Sequence, residues 1–276
     1  MAGHERIDPT ERAHLRDDAG YAPPIFRYTP GPGMPDLVRR YWVPVWSLPP
    51  GASTVQRVLQ YPVCLLVISH EYSIMVGPHT GLGRQELSGG GWAVGVMLQP
   101  AAGAMLLGGP VSDLTDRRVP LENVPVLDGE TVTAQVRAAM SAAPTEESAH
   151  PAAITHVEDA LRGLGPVDEE GLLVNDIVAF VQDRGDVQRV GQICDAFGVG
   201  ERALQRLTAR RVGLSPKWLV QRRRLHEAAE RLRTGARVDL AGVATELGYA
   251  DQAHFTRDFR TVTGLTPGAF AAERRE

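Results

Sequence analysis

The last ninety or so residues contain one pattern twice, and a chain that repeats a unit of this length folds it as a repeated supersecondary unit. The first copy, ICDAFGVGERALQRLTARRVGLSP, runs from Ile193 to Pro216; the second, VATELGYADQAHFTRDFRTVTGLTP, runs from Val243 to Pro267. Aligned on Gly198 and Gly248, the copies place Ile193 over Val243 and Cys194 over Ala244. Aligned on the closing GLSP and GLTP, Leu204 falls over Phe255 and Arg206 over Arg257, with one extra residue absorbed in the second turn.

Each copy has the grammar of a helix-turn-helix. A small residue, Cys194 or Ala244, stands where the two helices cross, and four residues later Gly198 or Gly248 can take the positive φ of a sharp turn. In the second helix Leu204 and Leu207, or Phe255 and Phe259, are expected to face inward. The remaining faces carry Arg202, Gln205, Arg206 and Arg210 in the first copy and Gln252, Thr256, Arg257 and Arg260 in the second. Arginine matches guanine O6 and N7, and glutamine matches adenine N6 and N7, in the major groove of DNA. Between the copies, Ser215 and Pro216 read as N-cap and first residue of a long helix ending at Gly235. Leu219, Leu225, Ala228, Ala229 and Leu232 form its apolar stripe. About 20 helical residues span roughly 30 Å, close to the roughly 34 Å between successive major-groove faces.

Charge agrees with a polyanion partner for this region. The net charge is −4, but residues 175–276 hold 17 Lys+Arg against 13 Asp+Glu, while the first 174 hold 12 against 20. No apolar run approaches the roughly 18 residues of a membrane span. The polar start MAGHERIDPTERAHLRDD lacks the apolar stretch of a secretory signal, so a cytoplasmic protein with reduced thiols is expected. Cys64 and Cys194 make no ligand pattern.

Upstream of the repeat, the expected division is a poorly structured arm over 1–35, a β-rich domain over 36–128, a helical connector over 129–173 and the DNA-binding domain over 174–276. The β reading rests on runs such as VRRYWVPVWSL, VCLLVIS, YSIMVG and GWAVGVMLQ bounded by LPPGAS, SHEY and LSGGG. The fold class is therefore α+β in two domains, a small antiparallel barrel or sandwich followed by an all-α unit. His70 and His79 are separated by EYSIMVGP and read as turn residues rather than metal ligands. GLG at Gly81–Gly83 and GGGW at Gly89–Trp92 lack the strand-to-helix context of a nucleotide loop, so no cofactor and no catalysis are expected. Trp42 and Trp46, four apart, share one face of a strand and with Trp92 are candidates for lining an apolar effector pocket; core packing is the alternative.

The run GYADQAHFTRDFRTVTGLTPGAF resembles the signature of the arabinose-regulator (AraC/XylS) family of transcription regulators. The likeness covers about residues 175–272. It implies recognition helices near 201–211 and 251–261 in adjacent major grooves, binding as a monomer or within a dimer, and RNA polymerase as a partner of an activator. Two positions depart from the pattern. Thr208 stands where an aromatic is usual, implying a looser first unit, and Ala253 leaves only thymine-methyl contact where a polar side chain is common. RRYWVPVW and WAVGVMLQPAAGAMLL are similar to sensor domains attached to some members, which implies a cupin-like β-domain that binds a small effector, forms a homodimer, or both. A regulator whose β-domain meets only a protein partner is the alternative. An alkyl-accepting enzyme fused to the DNA-binding unit would need an activated cysteine, which Cys64 in VCLLVIS does not offer.

Overall fold

The computed structural model describes residues 14–15, 23–234 and 239–272. Among these residues nine strands form two antiparallel sheets. β1 (His14–Leu15), β4 (Ser53–Val58) and β7 (Gly83–Ser88) make a three-stranded sheet in the order β1-β4-β7. The larger sheet has the order β2-β3-β8-β5-β6-β9, from β2 (Ile25–Tyr28), β3 (Val38–Ser47), β5 (Leu65–Ser69), β6 (Ser73–Val76), β8 (Gly90–Leu98) and β9 (Arg118–Pro120). Both sheets are open, so the domain is a sandwich and the closed, cupin-like barrel is not formed. The expected poorly structured arm over 1–35 needs correcting at its end, because Ile25–Tyr28 pair with Tyr41–Pro44 along the sheet edge; residues 1–13 and 16–22 of it lie outside the described residues. Pro24 and Pro30 flank this strand without interrupting its ladder, which is where proline is tolerated.

The two faces of the larger sheet are filled differently. Period-two alternation sends Tyr41, Val43, Val94, Val96 and Leu98 to one face, where they join α1 (Pro100–Leu107), α2 (Gly129–Ser141) and α3 (Ala149–Arg162) in the largest core. Val132, Val136, Met140, Ile154, Val157 and Leu161 belong to that core, so α2 and α3, expected in the connector, are built into the β-domain. The other face meets the three-stranded sheet through two small clusters, one around Tyr61, Val63 and Met97, the other around Trp46, Leu87 and Ala93.

The helical third follows the repeat. α4 (Glu169–Asp183) is capped by Asp168, whose carboxylate accepts from the Gly171 amide at 2.7 Å. It supports α5 (Val190–Phe197) and α6 (Glu201–Val212), and α7 (Pro216–Thr234) leads to α8 (Leu240–Glu246), α9 (Gln252–Thr263) and α10 (Pro267–Ala272). Gly198 and Gly248 take φ values of 63° and 75°, as the repeat requires. The Ser215 hydroxyl accepts from the Trp218 amide at 3.2 Å, and Thr266 does the same for Ala269 at 3.2 Å, so both copies exit through one cap. All five residues of the expected α7 stripe are buried.

Candidate nucleic-acid interface and interior cavity

In each unit the inward residues are the ones the repeat assigns: Leu204, Phe255 and Phe259 are fully buried and Leu207 is nearly so. The opposite faces remain open. Arg202, Gln205 and Arg206 on α6, and Gln252, Arg257 and Arg260 on α9, are exposed; Thr256 is half-buried and Ala253 exposed. Thr208 is fully buried, with its hydroxyl donating to the Gln205 carbonyl at 3.3 Å.

The arginines divide by pairing. Arg211 reaches Asp168 and Glu170, Arg184 pairs with Asp186, Arg223 with Glu227, and Arg231 with Glu227 and Glu246. Arg210, assigned to the DNA face from sequence, is ion-paired with Glu170 of α4. The hydrogen bond from Arg211 does most to hold the Glu170 carboxyl below its ordinary range; burial opposes it, and Arg210 adds to the lowering. By contrast, the Arg202, Arg206, Arg257 and Arg260 side chains have no ion pair or hydrogen bond among the described residues. These four exposed guanidiniums are free to meet carboxylate, phosphate or guanine.

Several residues that fix these faces were not visible as a pattern. Asp258, the counterpart of Leu207, turns inward from α9, accepting from the Tyr249 hydroxyl at 2.7 Å and from Gln221 of α7. Arg222 of α7 is buried, with one nitrogen donating to the carbonyls of His79, Thr80 and Gly81 at 2.9, 2.7 and 3.2 Å. Its guanidinium lies 4.3 Å from the Trp218 ring centroid. Burial lowers Arg222 to about 9, still charged at neutral pH, with Asp116 and Asp258 opposing that shift. His226 of α7 is buried with Nε2 2.7 Å from the Leu59 carbonyl, so Nε2 carries the proton. Leu59 itself lies in the core of the second unit. The Thr115 hydroxyl donates to the Gly213 carbonyl at 2.8 Å, and Asn175 bridges the Ala101 amide and the Asp36 carbonyl. The helical third is thus bolted to the sandwich along α4, α6 and α7.

Between the two sheets lies a cavity of about 390 Å³. Trp42 and Trp46 line it together with Ile25, Leu65, Val67, Ile74, Val76 and Leu87. Trp92 does not: it is paired across the ladder with Val45, one step out of phase, and is buried in the helix-side core. Trp42 and Trp46 pair with Gly95 and Gly91. A Cβ on Gly95 would come within 2.1 Å of the Trp42 ring, and one on Gly91 within 2.5 Å of Trp46. Only glycine lets the indoles lie this close to β8.

His79 and Asp116 also line the cavity, and they build the turn that receives Arg222. Asp116 takes φ of 58° and accepts from the Thr80 amide at 2.8 Å, the Thr80 hydroxyl at 2.6 Å and His79. Burial pushes the Asp116 carboxyl up, but these hydrogen bonds outweigh it and hold the group below its ordinary range. His70 lies in the bend between β5 and β6 and His79 in the loop between β6 and β7, and no group of three or more His, Cys, Asp or Glu suited to a metal occurs among the described residues. Burial pushes the Cys64 thiol up to about 12, which keeps it protonated at neutral pH and a poor nucleophile. No helix among the described residues is long and apolar enough to cross a membrane.

Residues 193–273 match the model of a helix-turn-helix domain, and residues 26–120 match a domain of unknown function, DUF6597. Among solved structures, an apo ToxT variant from Vibrio cholerae aligns at 13% identity, covering 84% of this chain and 97% of its own, with a TM-score of 0.41. Wild-type ToxT from Vibrio cholerae with an unsaturated fatty acid bound aligns at 10% identity over 94% of this chain and 92% of its own, with a TM-score of 0.38.

Proposed function

We propose that this chain, whose C-terminal third is a double helix-turn-helix domain of the AraC/XylS type, is a sequence-specific transcription regulator that sets α6 and α9 into adjacent major grooves. The observation that carries the reading is the division of the arginines. Arg202, Arg206, Arg257 and Arg260 face outward without partners among the described residues, whereas Arg211 and Arg223, turned toward the interior, are ion-paired. The spacing supports the same reading, since the 19 residues of α7 amount to roughly 28 Å at ~1.5 Å per residue, near the repeat of the groove. Arg210 contributes less to DNA in this reading, because a contact there must first break its pair with Glu170.

The β-domain acts as an effector domain. A domain that served only to meet a protein partner would need no space between its sheets, and the cavity beside Trp42 and Trp46 supports a small ligand. Control follows from a shared wall. His79 and Asp116 face the cavity, while the carbonyls of residues 79–81 hold Arg222 of the helix that joins the two recognition units. A ligand that shifts this turn changes how firmly α7 is held.

Arg206→Ala and Arg257→Ala test the DNA reading. Each is expected to cost about 1–3 kcal/mol of binding to the specific site while sparing most binding to random duplex. Equal losses on both DNAs would show that these side chains touch only phosphate and would overturn the base-reading assignment.

A further inference from the structure

The sandwich interior departs from ordinary packing in a directed way. The apolar side chains between the sheets fall into two separate clusters, and the gap is floored by two indoles placed four residues apart on β3. Both indoles lie close against glycines of β8, a Trp–Gly pairing made twice in one register. A sheet that needed only to fill space would put larger side chains at Gly91 and Gly95 and leave no void. Paired glycines instead make a broad aromatic floor, the surface on which a planar ring stacks.

The other end of the cavity is cationic. Arg118 of β9 pairs across the ladder with Val76, and Val76 lines the cavity, so Arg118 stands on the cavity side of the sheet. Arg117 and Arg84 complete the rim, and all three arginines are exposed. The side chains of Arg84 and Arg117 have no ion pair or hydrogen bond among the described residues. The Tyr72 hydroxyl, in the same lining, has no hydrogen-bond partner among them either. Two acids lie nearby. Asp116 is already engaged by Thr80 and His79, and Glu71 is largely exposed beside His70. The rim therefore presents unneutralised guanidinium to whatever lies on the indoles.

We propose that the cavity binds a planar aromatic monoanion, a carboxylate or sulfonate, with its ring system over Trp42 and Trp46 and its acid group at Arg118 and the Tyr72 hydroxyl. The inference deepens the effector reading above and rests on it. A volume of about 390 Å³ suits a ligand of two or three rings. The acid group sits where it gains charge-assisted hydrogen bonds while its ring leaves water.

The test uses the full-length protein and two fluorescent probes of nearly equal shape: anilinonaphthalene sulfonate, an aromatic monoanion, and phenylnaphthylamine, its neutral counterpart. The anion is expected to bind one per chain and about tenfold tighter than the neutral probe, the effect of one charge-assisted contact. Arg118→Gln is expected to bring the anion to the affinity of the neutral probe and leave the neutral probe unchanged. Val67→Phe, which fills the space opposite Gly95, is expected to abolish binding of both in a protein that still unfolds cooperatively. Equal affinities for the two probes, or an Arg118→Gln protein that binds the anion normally, would overturn the proposal. Neither probe measurement involves DNA, so a failure here leaves the DNA reading to stand or fall by Arg206 and Arg257.

Discussion

The two helix-turn-helix units share one grammar but are completed by different means. The second is closed by aromatic side chains: Tyr249, Phe255, Phe259 and Phe270 stack in sequence with ring centroids 5.2–5.8 Å apart. Among the described residues the first has a single aromatic pair, Phe197 against Phe180 of α4, with ring centroids 5.3 Å apart. Its core is completed by α4 residues Val174, Ile177, Val178 and Val181 and by Ala101 of the β-domain. The same contrast appears in the glycines that end the two recognition helices. Gly213 and Gly264 have φ of 75° and 78°, yet a Cβ on Gly264 would meet open space, while one on Gly213 would lie 2.6 Å from the Thr115 hydroxyl and 3.0 Å from the Val111 carbonyl. Thr208, which departs from the aromatic found at the matching Phe259, is fully buried in this setting. Each core takes in one buried residue of the β-domain, Leu59 in the second unit and Ala101 in the first, but only the first also depends on α4 and has its closing glycine, Gly213, packed against residues 111–115.

This contrast can be broken at its strongest point. Phe259→Ala removes a fully buried ring from the aromatic core and is expected to lower stability by about 3–5 kcal/mol in denaturant unfolding of the full chain. A loss below 1 kcal/mol would mean that the second unit does not rest on its aromatics. Next in size, Gly264→Ala should cost only the backbone penalty of a left-handed alanine, about 1–2 kcal/mol. Gly213→Ala should cost that plus about 1–3 kcal/mol for crowding against residues 111–115. Equal penalties would show that the first unit is not docked as described. A smaller effect is expected for Thr115→Val, which keeps the shape and removes the hydrogen bond to Gly213, at about 1 kcal/mol.

The smallest effect is a titration. Asp116 has its folded pKa below the unfolded value, so its stabilisation is full at neutral pH and is lost as pH falls through the acidic range below about 4. Asp116→Asn tolerates the positive φ and lacks the charge. Its stability deficit relative to wild type should shrink as pH falls through that range, and a deficit independent of pH would show that the carboxylate charge has no part in the turn.

The helical third was legible because its signals are local. Glycine at the turn, apolar spacing and the Ser-Pro and Thr-Pro exits each act within a few residues, so the repeat and the α7 stripe follow from the sequence. The residues that bolt the halves together are legible nowhere. Arg222 and His226 stand in a basic run, and nothing local marks them as buried against Gly81 and Leu59, more than a hundred residues away. Trp42 and Trp46 could be assigned to one face because strand alternation is local. Trp92 could not be excluded, since its face depends on the register between β3 and β8. Arg210 looked equivalent to Arg206 on the helix surface, and only the packing of α4 supplies the Glu170 that claims it.

The central claim is that two arginine-bearing faces read neighbouring grooves, and selection of binding sites from a random duplex pool with the full-length protein tests it most directly. Two short motifs centred about 10–10.5 base pairs apart are expected, with affinity falling steeply as salt rises. A single motif that persists when Arg257 is replaced by alanine, or no motif even at low salt, would contradict it.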